Sequence, residues 1–124
     1  MKQTFFICKH CGNIIAMIRN KGVPVCCCGE EMQKIAPGTT EASTEKHIPV
    51  YEIENDTVHV RVGSVEHPMS REHYSEWICL ETEHGIQFAH LDPEDKPRAT
   101  FALCDGDEVR AVYAFCNQHN LWRN

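Results

Sequence analysis

The N-terminal cysteines constrain the fold of this chain more than any other feature of its sequence. Five of the eight cysteines lie within the first 28 residues, as Cys8-Lys9-His10-Cys11-Gly12 and Cys26-Cys27-Cys28-Gly29. Two thiolates two residues apart can face the same ion, and Gly12 allows backbone N–H groups to turn toward the sulfurs. A segment of about 36 residues buries too little apolar surface to fold unaided. We therefore predict a small metal-stapled domain over residues 1–36.

The second half of this cluster departs from zinc-ribbon spacing, because its cysteines are adjacent rather than two residues apart. Neighbouring side chains point apart, so two adjacent ligands require a bent backbone, which Gly29 permits. We predict four thiolate ligands, with Cys26 as the spare cysteine. These ligands are Cys8, Cys11, Cys27 and Cys28. Tetrahedral sulfur suits zinc and iron equally, so the spacing leaves the metal open.

The remainder of the chain has the pattern of a β-protein. After a polar linker that begins at Pro37-Gly38, apolar and polar side chains alternate with period two, as in Val58, Val60 and Val62. Asp105-Gly106-Asp107 predicts a hairpin between the last two predicted strands. The predicted strands span 48–53, 57–62, 76–81, 86–91, 99–104 and 108–116. We predict an all-β domain over residues 37–124, an antiparallel sandwich in which 37–46 form a linker and the start of the active-site motif.

A second set of potential metal donors is scattered over this domain. It comprises His47, His67, His73, Cys116 and His119. Four imidazoles and one thiolate suffice for one iron and leave a sixth position open. A single histidine in a β-protein is more often exposed or hydrogen-bonded in the core, and strand alternation predicts that His59 is exposed. We predict the same for His10, His84 and His90.

Net charge, apolar segment length and cysteine spacing limit the partners that we expect and indicate the cellular compartment. The formal net charge is −6, which argues against nucleic acid or an anionic membrane as the main partner. The N-terminal apolar run is too short for a secretory signal, and no segment is long enough to span a membrane. Closely spaced cysteines in a reducing compartment bind metal more often than they form disulfides. We therefore expect a cytoplasmic protein.

Taken in order, these motifs resemble the two-iron superoxide reductases, the desulfoferrodoxins. The Cys-x-x-Cys and Cys-Cys-Gly motifs resemble desulforedoxin, and the remainder resembles neelaredoxin. The neelaredoxin-like motifs are Glu45-Lys46-His47-Ile48-Pro49, His67-Pro68, His73-Tyr74 and Cys116-Asn117-Gln118-His119. Each motif alone is weak, whereas all of them in sequence order are highly specific and span essentially the whole chain. The third consecutive cysteine, Cys26, is the one departure.

The resemblance implies an immunoglobulin-like β-sandwich that reduces superoxide to hydrogen peroxide by one electron at a non-haem Fe(His)4(Cys) centre. The implied ligands are His47, His67, His73, His119 and an axial Cys116. It further implies that Lys46 guides the anion and that Glu45 closes on the oxidised iron. The desulforedoxin-like iron, held by four cysteines, would transfer electrons. A rubredoxin-type electron donor and a homodimer are also implied.

Three alternatives use some of the same residues. A pure electron carrier needs no open position and no Glu45-Lys46 beside the metal. A superoxide dismutase must also oxidise superoxide, which a thiolate-ligated ferric iron should do poorly. A zinc-stapled interaction domain would be colourless, because zinc is spectroscopically silent.

Overall fold

The structure is a computed structural model that describes residues 2–124. Its contacts divide the chain into two compact units, Met1–Ala36 and Pro37–Asn124. None of the helices in residues 2–124 has the length and apolar character that crossing a bilayer requires.

The first unit is built from short strands joined by two cysteine-containing turns. Its strands are β1 (Thr4–Ile7), β2 (Ile14–Met17), β3 (Cys26–Cys27), β4 (Glu30–Glu31) and β5 (Gln33–Lys34). They form a three-stranded sheet in the order β2-β1-β5 and a β3-β4 hairpin. Gly12 has a φ of 84° in the first turn, and Cys28 and Gly29 have φ values of 54° and 75° in the second. These left-handed residues, which glycine adopts without strain, reverse the chain directly after each cysteine pair.

The second unit begins with one helical turn, and seven strands follow. The elements are α1 (Thr44–His47), β6 (Pro49–Glu54), β7 (Thr57–Val62), β8 (Ser75–Thr82), β9 (Ile86–His90), β10 (Arg98–Ala102), β11 (Val109–Cys116) and β12 (Asn120–Arg123). One sheet has the order β10-β7-β6, and the other has the order β12-β11-β8-β9. All of the strand pairs are antiparallel.

The core of this unit comes from the alternation that the sequence predicts. Val58, Val60 and Val62 of β7 are at most 2% exposed and belong to one buried cluster. The other buried members of the cluster are Ile78, Leu80, Phe101, Val112 and Ala114. Full burial of an aliphatic side chain of this size stabilises the fold by about 1.5–3 kcal/mol. The prediction of an antiparallel sandwich preceded by a small metal-stapled unit is confirmed.

The predicted hairpin across Asp105-Gly106-Asp107 is wrong. Strand β10 pairs with β7, with Phe101 opposite Val58, whereas β11 pairs with β8 and β12. The turn, in which Gly106 has a φ of 84°, therefore carries the chain from one sheet to the other. A turn signal predicts a local reversal of the chain, but the partner of each strand depends on where its apolar face is buried.

Three connecting segments meet at one end of the sandwich, where four strand ends lie. Pro49 at the start of β6 lies opposite Val62 at the end of β7, and Ser75 at the start of β8 lies opposite Cys116 at the end of β11. Helix α1, the 63–74 loop and the β11–β12 turn consequently meet at this end. Loops at one end of a rigid sandwich are well suited to hold a site.

Candidate metal centres

The five predicted histidine and cysteine donors meet at this end of the sandwich. One ligand atom each from His47, His67, His73 and Cys116 lies within 4.8 Å of the others. The fifth residue, His119, lies outside that tight set, but it borders it. Its Nδ1 is 3.2 Å from His47 Nε2 and 3.8 Å from Cys116 Sγ. The structure therefore brings together five residues that are separated by up to 72 positions.

Hydrogen bonds to backbone carbonyls orient two of these imidazoles. Nδ1 of His47 lies 2.7 Å from the Ser43 carbonyl oxygen, and Nδ1 of His67 lies 2.6 Å from that of Pro68. Because a carbonyl can only accept, each Nδ1 carries the proton and each Nε2 keeps a free lone pair. A hydrogen bond of this kind on the far nitrogen is the usual support of a metal-binding histidine.

Two buried imidazole nitrogens of the cluster are suited to bind a metal ion. Nε2 of His67 and of His73 are buried, and among residues 2–124 neither has a hydrogen-bond partner. A buried polar atom without a partner costs about 1–3 kcal/mol, so such atoms are rare in native proteins. A cation in the middle of the cluster would accept both lone pairs. The donor set, which is imidazole with one thiolate, suits iron, copper or zinc.

The protonation states inside the cluster follow from its burial. Burial lowers the pKa of His47, of His73 and, to about 4, of His67. Neighbouring positive charges, including that of Lys46, lower the pKa values of His47 and His73 further. The imidazoles of His47, His67 and His73 are therefore neutral near pH 7, which is the form that binds metal. Burial raises the pKa of the Cys116 thiol, whereas the backbone N–H groups of Gln118 and His119 lower it.

Asn117 ties the two ligand-bearing loops together. Its Oδ1 accepts the Tyr74 N–H at 3.0 Å, and its Nδ2 donates to the Glu72 carbonyl at 3.0 Å. Gln118 donates to the same carbonyl at 2.6 Å. The turn that carries Cys116 and His119 is thereby held against the segment that carries His73. The motif contains Asn117, but its cross-loop hydrogen bonds are visible only in the structure.

Trp122 is a neighbour of the site that sequence reasoning missed. Its ring lies 5.0 Å from that of His47, and its Nε1 donates to the His119 carbonyl at 3.0 Å. It lies on β12, a strand that was not predicted. The sequence carries no signal that links this tryptophan to His47.

Gly63 positions the segment that precedes His47. A Cβ on Gly63 would lie 2.6 Å from the Glu45 carbonyl oxygen and 2.8 Å from that of Ile48. The Glu45 carbonyl also accepts hydrogen bonds from the Val65 N–H at 2.9 Å and the Ser64 hydroxyl at 3.2 Å. The Glu45 backbone is therefore anchored while the side chains of Glu45 and Lys46 stay exposed beside the cluster.

The four predicted thiol ligands of the first unit also meet. Sulfurs of Cys8, Cys11, Cys27 and Cys28 lie within 4.8 Å of one another, and Cys26 is not among them. Cys11 Sγ lies 3.6 Å from Cys27 Sγ. Asn13 offers its backbone N–H to Cys11 Sγ at 3.5 Å and its side-chain amide to Cys27 Sγ at 3.7 Å. Both sulfurs therefore accept weak hydrogen bonds from Asn13.

The thiol protonation pattern also indicates a metal site. The Cys11 backbone N–H is the largest influence that lowers the pKa of Cys8 to about 6. The side-chain hydrogen bond between Cys28 and Cys11 is the largest influence that raises the pKa of Cys28 to about 12. Four crowded sulfurs cannot all ionise without a cation, because like charges at this distance repel. A divalent or trivalent ion would remove that conflict.

The choice among the three consecutive cysteines can be tested by substitution. We expect Cys27→Ser to abolish the visible absorption of a four-thiolate iron centre, because only three sulfurs remain. Cys26→Ser is the matched control and should retain that absorption at full intensity. Absorption spectra of both variants after iron reconstitution provide the measurement. The opposite result would show that Cys26, and not Cys27, is the ligand.

The comparisons with known proteins agree on one family. Residues 39–124 match the family model described as Desulfoferrodoxin. Desulfoferrodoxin of Syntrophotalea carbinolica is 40% identical over 121 residues, which cover 98% of this chain and 94% of that protein. Desulfoferrodoxin of Clostridium acetobutylicum is 38% identical over 97% of this chain and 94% of its own. The crystal structure of the superoxide reductase from Treponema pallidum is 40% identical, with a TM-score of 0.85, and the match covers 100% of this chain and 99% of that one.

Proposed function

This chain belongs to the desulfoferrodoxin family, and on that premise we propose that superoxide is reduced at the histidine–cysteine cluster. The protein is a superoxide reductase with two iron centres. We assign one iron to His47, His67, His73, His119 and Cys116, and the other to Cys8, Cys11, Cys27 and Cys28. The observation that carries the first assignment is the convergence of these donors around Nε2 of His67 and of His73, two buried nitrogens without a hydrogen-bond partner among residues 2–124.

The chemistry requires one electron and two protons for each superoxide. Iron held by these residues would supply the electron, and the product would be hydrogen peroxide. If all five protein donors bind the iron, one of its six positions would remain for superoxide. The imidazoles of His47, His67 and His73 are neutral near pH 7 because their pKa values are lowered, so a Cys116 thiolate would be the one anionic donor and would favour electron release from a bound iron. The hydrogen bonds to the Ser43 and Pro68 carbonyls and those of Asn117 keep this donor set in place.

The product balance tests this function directly. A superoxide reductase supplied with a chemical reductant should form one hydrogen peroxide for each superoxide and release no dioxygen. A dismutase would form half as much peroxide and an equal amount of dioxygen. Simultaneous recording with peroxide and oxygen electrodes separates the two reactions. Release of dioxygen in that ratio would contradict the proposal.

We assign Lys46 as the residue that guides superoxide to the iron. Its positive charge acts on His47 and His73, so it stands beside the cluster in a chain whose net charge is −6. A cation at the mouth of a site raises the association rate of a small anion, by about 10-fold or more. We also propose that Lys46 orients water for proton delivery.

We expect Lys46→Ala to lower the second-order rate constant with superoxide by about 10-fold at low ionic strength. The rate should also lose most of its salt dependence, since screening acts on the charge that was removed. Pulse radiolysis or stopped-flow mixing measures both quantities. Lys21→Ala removes an exposed lysine of the first unit and is the control for net charge. An unchanged rate and salt dependence in Lys46→Ala would exclude the guiding role.

We assign Glu45 as the carboxylate that closes the open position after peroxide leaves. Its backbone is held by Ser64 and Val65, while its side chain is exposed beside the cluster. Glu45→Ala should shift the visible absorption band of the oxidised protein, because water or hydroxide would take the place of the carboxylate. The reduction rate should change little. Glu41→Ala, an exposed carboxylate of the linker, is the control. An oxidised spectrum identical to wild type would remove this role from Glu45.

We assign the four-cysteine iron to electron transfer and a rubredoxin-type carrier as the external donor. Two units that each hold their own donor set support this division of labour.

We also propose a homodimer formed through the first unit. The support is that this small unit exposes three large apolar side chains, Ile18 at 85%, Val23 at 76% and Val25 at 39%, which a partner copy could cover. Sedimentation equilibrium should give twice the mass of the chain.

We propose that the protein works in the cytoplasm. The support is its eight free cysteines, of which five lie in the first unit, where a reducing compartment keeps them available for metal. Subcellular fractionation with detection of the native protein tests the location. Recovery with secreted proteins would contradict it.

A further inference from the structure

Two arginines face each other on the outer surface of the three-stranded sheet. Arg98 of β10 lies directly opposite Arg61 of β7. Val60 and Val62, the neighbours of Arg61 on β7, point into the core, so Arg61 points outward, and both arginines are exposed. Directly opposed residues on adjacent antiparallel strands have Cβ atoms about 5 Å apart, and like charges at such positions are destabilising.

This repulsion is not offset within the described part of the chain. Among residues 2–124 no ion pair involves Arg61 or Arg98. Glu52 and Glu66 line the surface beside the arginines, yet neither forms an ion pair with them. The chain has 18 acidic residues against 12 basic ones, so carboxylates are plentiful elsewhere on the surface. The arginine pair therefore presents two guanidinium groups to an external anion.

The surface around the pair is broad. One groove, of about 430 Å³, runs along the sheet and includes Tyr51, His59 and Thr100. A second groove, of about 390 Å³, lies at the strand ends and includes Gly63 and Pro97. Arg61 and Arg98 line both grooves. This extent, with apolar and hydrogen-bonding groups beside the charges, suits a protein surface better than a small ion.

The pair lies at the end of the sheet that holds the histidine–cysteine cluster. Val62, the residue after Arg61, accepts a hydrogen bond from the His67 N–H at 2.8 Å and donates to the Pro97 carbonyl at 2.8 Å. Gly63 packs against the backbone of Glu45 and Lys46. A partner seated on the two arginines would therefore adjoin the backbone that carries His67 and Glu45.

We propose that the Arg61–Arg98 face docks the carboxylate-rich surface of a one-electron carrier protein that reduces the catalytic iron between turnovers. Guanidinium groups pair with carboxylates in a bidentate manner, and charge complementarity sets the rate of encounter. One electron leaves the reduced carrier and is gained by the oxidised iron centre, and no atom or proton is transferred. This inference rests on the proposed function, because only a reductase needs an electron donor.

The test measures reduction of the oxidised two-iron protein by a reduced acidic rubredoxin, which serves as the probe. Arg61→Glu and Arg98→Glu are compared with Arg19→Glu, an exposed residue of the first unit whose reversal changes net charge equally. We expect the second-order rate constant for reduction to fall about 10-fold at low ionic strength in the first two variants and to approach wild type at high salt. Arg19→Glu should stay within about twofold of wild type. Arg61→Lys and Arg98→Lys, which keep the charge, should retain most of the rate.

The rate of the reduced variants with superoxide separates the possible outcomes. We expect it to stay within about twofold of wild type, since neither arginine touches the metal cluster. Reduction by the carrier at the wild-type rate in Arg61→Glu and Arg98→Glu would overturn the docking proposal. An equal loss with superoxide would overturn it in favour of a small-anion guide. A changed sedimentation mass would indicate self-association through this face instead. A wild-type protein that does not react with superoxide would contradict the proposed function itself.

Discussion

Cys116→Ser is expected to abolish superoxide reduction while leaving the protein folded. Cys116 is 2% exposed, ends strand β11 and is the one thiol of the histidine–cysteine cluster. Serine keeps the shape of the side chain, but its hydroxyl is far harder to ionise than a thiol, so the cluster loses its anionic donor. Because loss of even an outer-shell partner of a metal typically lowers activity by 10–100-fold, we expect loss of the ligand to lower the rate with superoxide by at least about 100-fold.

The control for this variant is Cys79→Ala, which removes another buried thiol from the same sheet. Cys79 is fully buried on strand β8, where burial raises the pKa of its thiol to about 12, and it belongs to neither group of potential metal donors found among residues 2–124. Its loss should reduce stability and leave the visible thiolate-to-iron band intact, whereas Cys116→Ser should lose that band. A band that persists in Cys116→Ser and disappears in Cys79→Ala would show that the iron is bound to a different cysteine.

Gly63→Ala is expected to disrupt the catalytic site from a position that binds no metal. A Cβ at residue 63 would meet backbone oxygens of Glu45 and Ile48 at 2.6 and 2.8 Å and the Lys46 carbonyl carbon at 3.1 Å. Backbone atoms cannot move aside as a flexible side chain can, so helix α1 must shift and carry His47 with it. Overpacking of this kind destabilises by about 1–3 kcal/mol. We expect a lower melting temperature, weaker iron retention at the histidine–cysteine cluster and a slower reaction with superoxide.

Gly85→Ala is the matched control, because the same added methyl group meets nothing within 4 Å there. Its stability should stay within about 0.5 kcal/mol of wild type, as is usual for surface substitutions. Thermal unfolding and iron content of the two variants decide the matter. Equal stability and equal iron retention in Gly63→Ala and Gly85→Ala would show that the backbone of Glu45 and Lys46 does not need this close approach.

The alternation of apolar and polar residues predicted the main strands of the sandwich, because this pattern can be read within a single strand. Val58, Val60 and Val62 show this, since their period of two places them together in the core. Strand β12 was missed because its four residues are too few for a pattern to be read. The pairing of β10 with β7 was missed because the two strands lie about 40 positions apart in the sequence. Thr100, for example, forms a hydrogen bond with His59. Strands β3, β4 and β5 have two residues each, and the cysteine turns determine them more than any periodicity does.

The candidate site was predictable to the extent that its residues lie in short motifs. The four thiols of the first unit and the five donors of the second come together as the ordered motifs predict. The supporting contacts were not predictable, because they join distant segments. Gly63 meets Glu45, and Trp122 meets His47, with no local signal at any of these positions. The assignment of each residue as a ligand stays a prediction until the metal-loaded protein is tested.

The most direct test of the superoxide reductase assignment is an absorption spectrum of the iron-loaded protein, recorded reduced and without oxygen, and then after addition of superoxide. The reduced protein should lack the thiolate-to-iron band of the histidine–cysteine centre, and this band should develop fully on addition of superoxide, with formation of one peroxide and no dioxygen. A protein that remains colourless and inert to superoxide after iron loading would contradict it and would leave a metal-stapled β-sandwich without this activity.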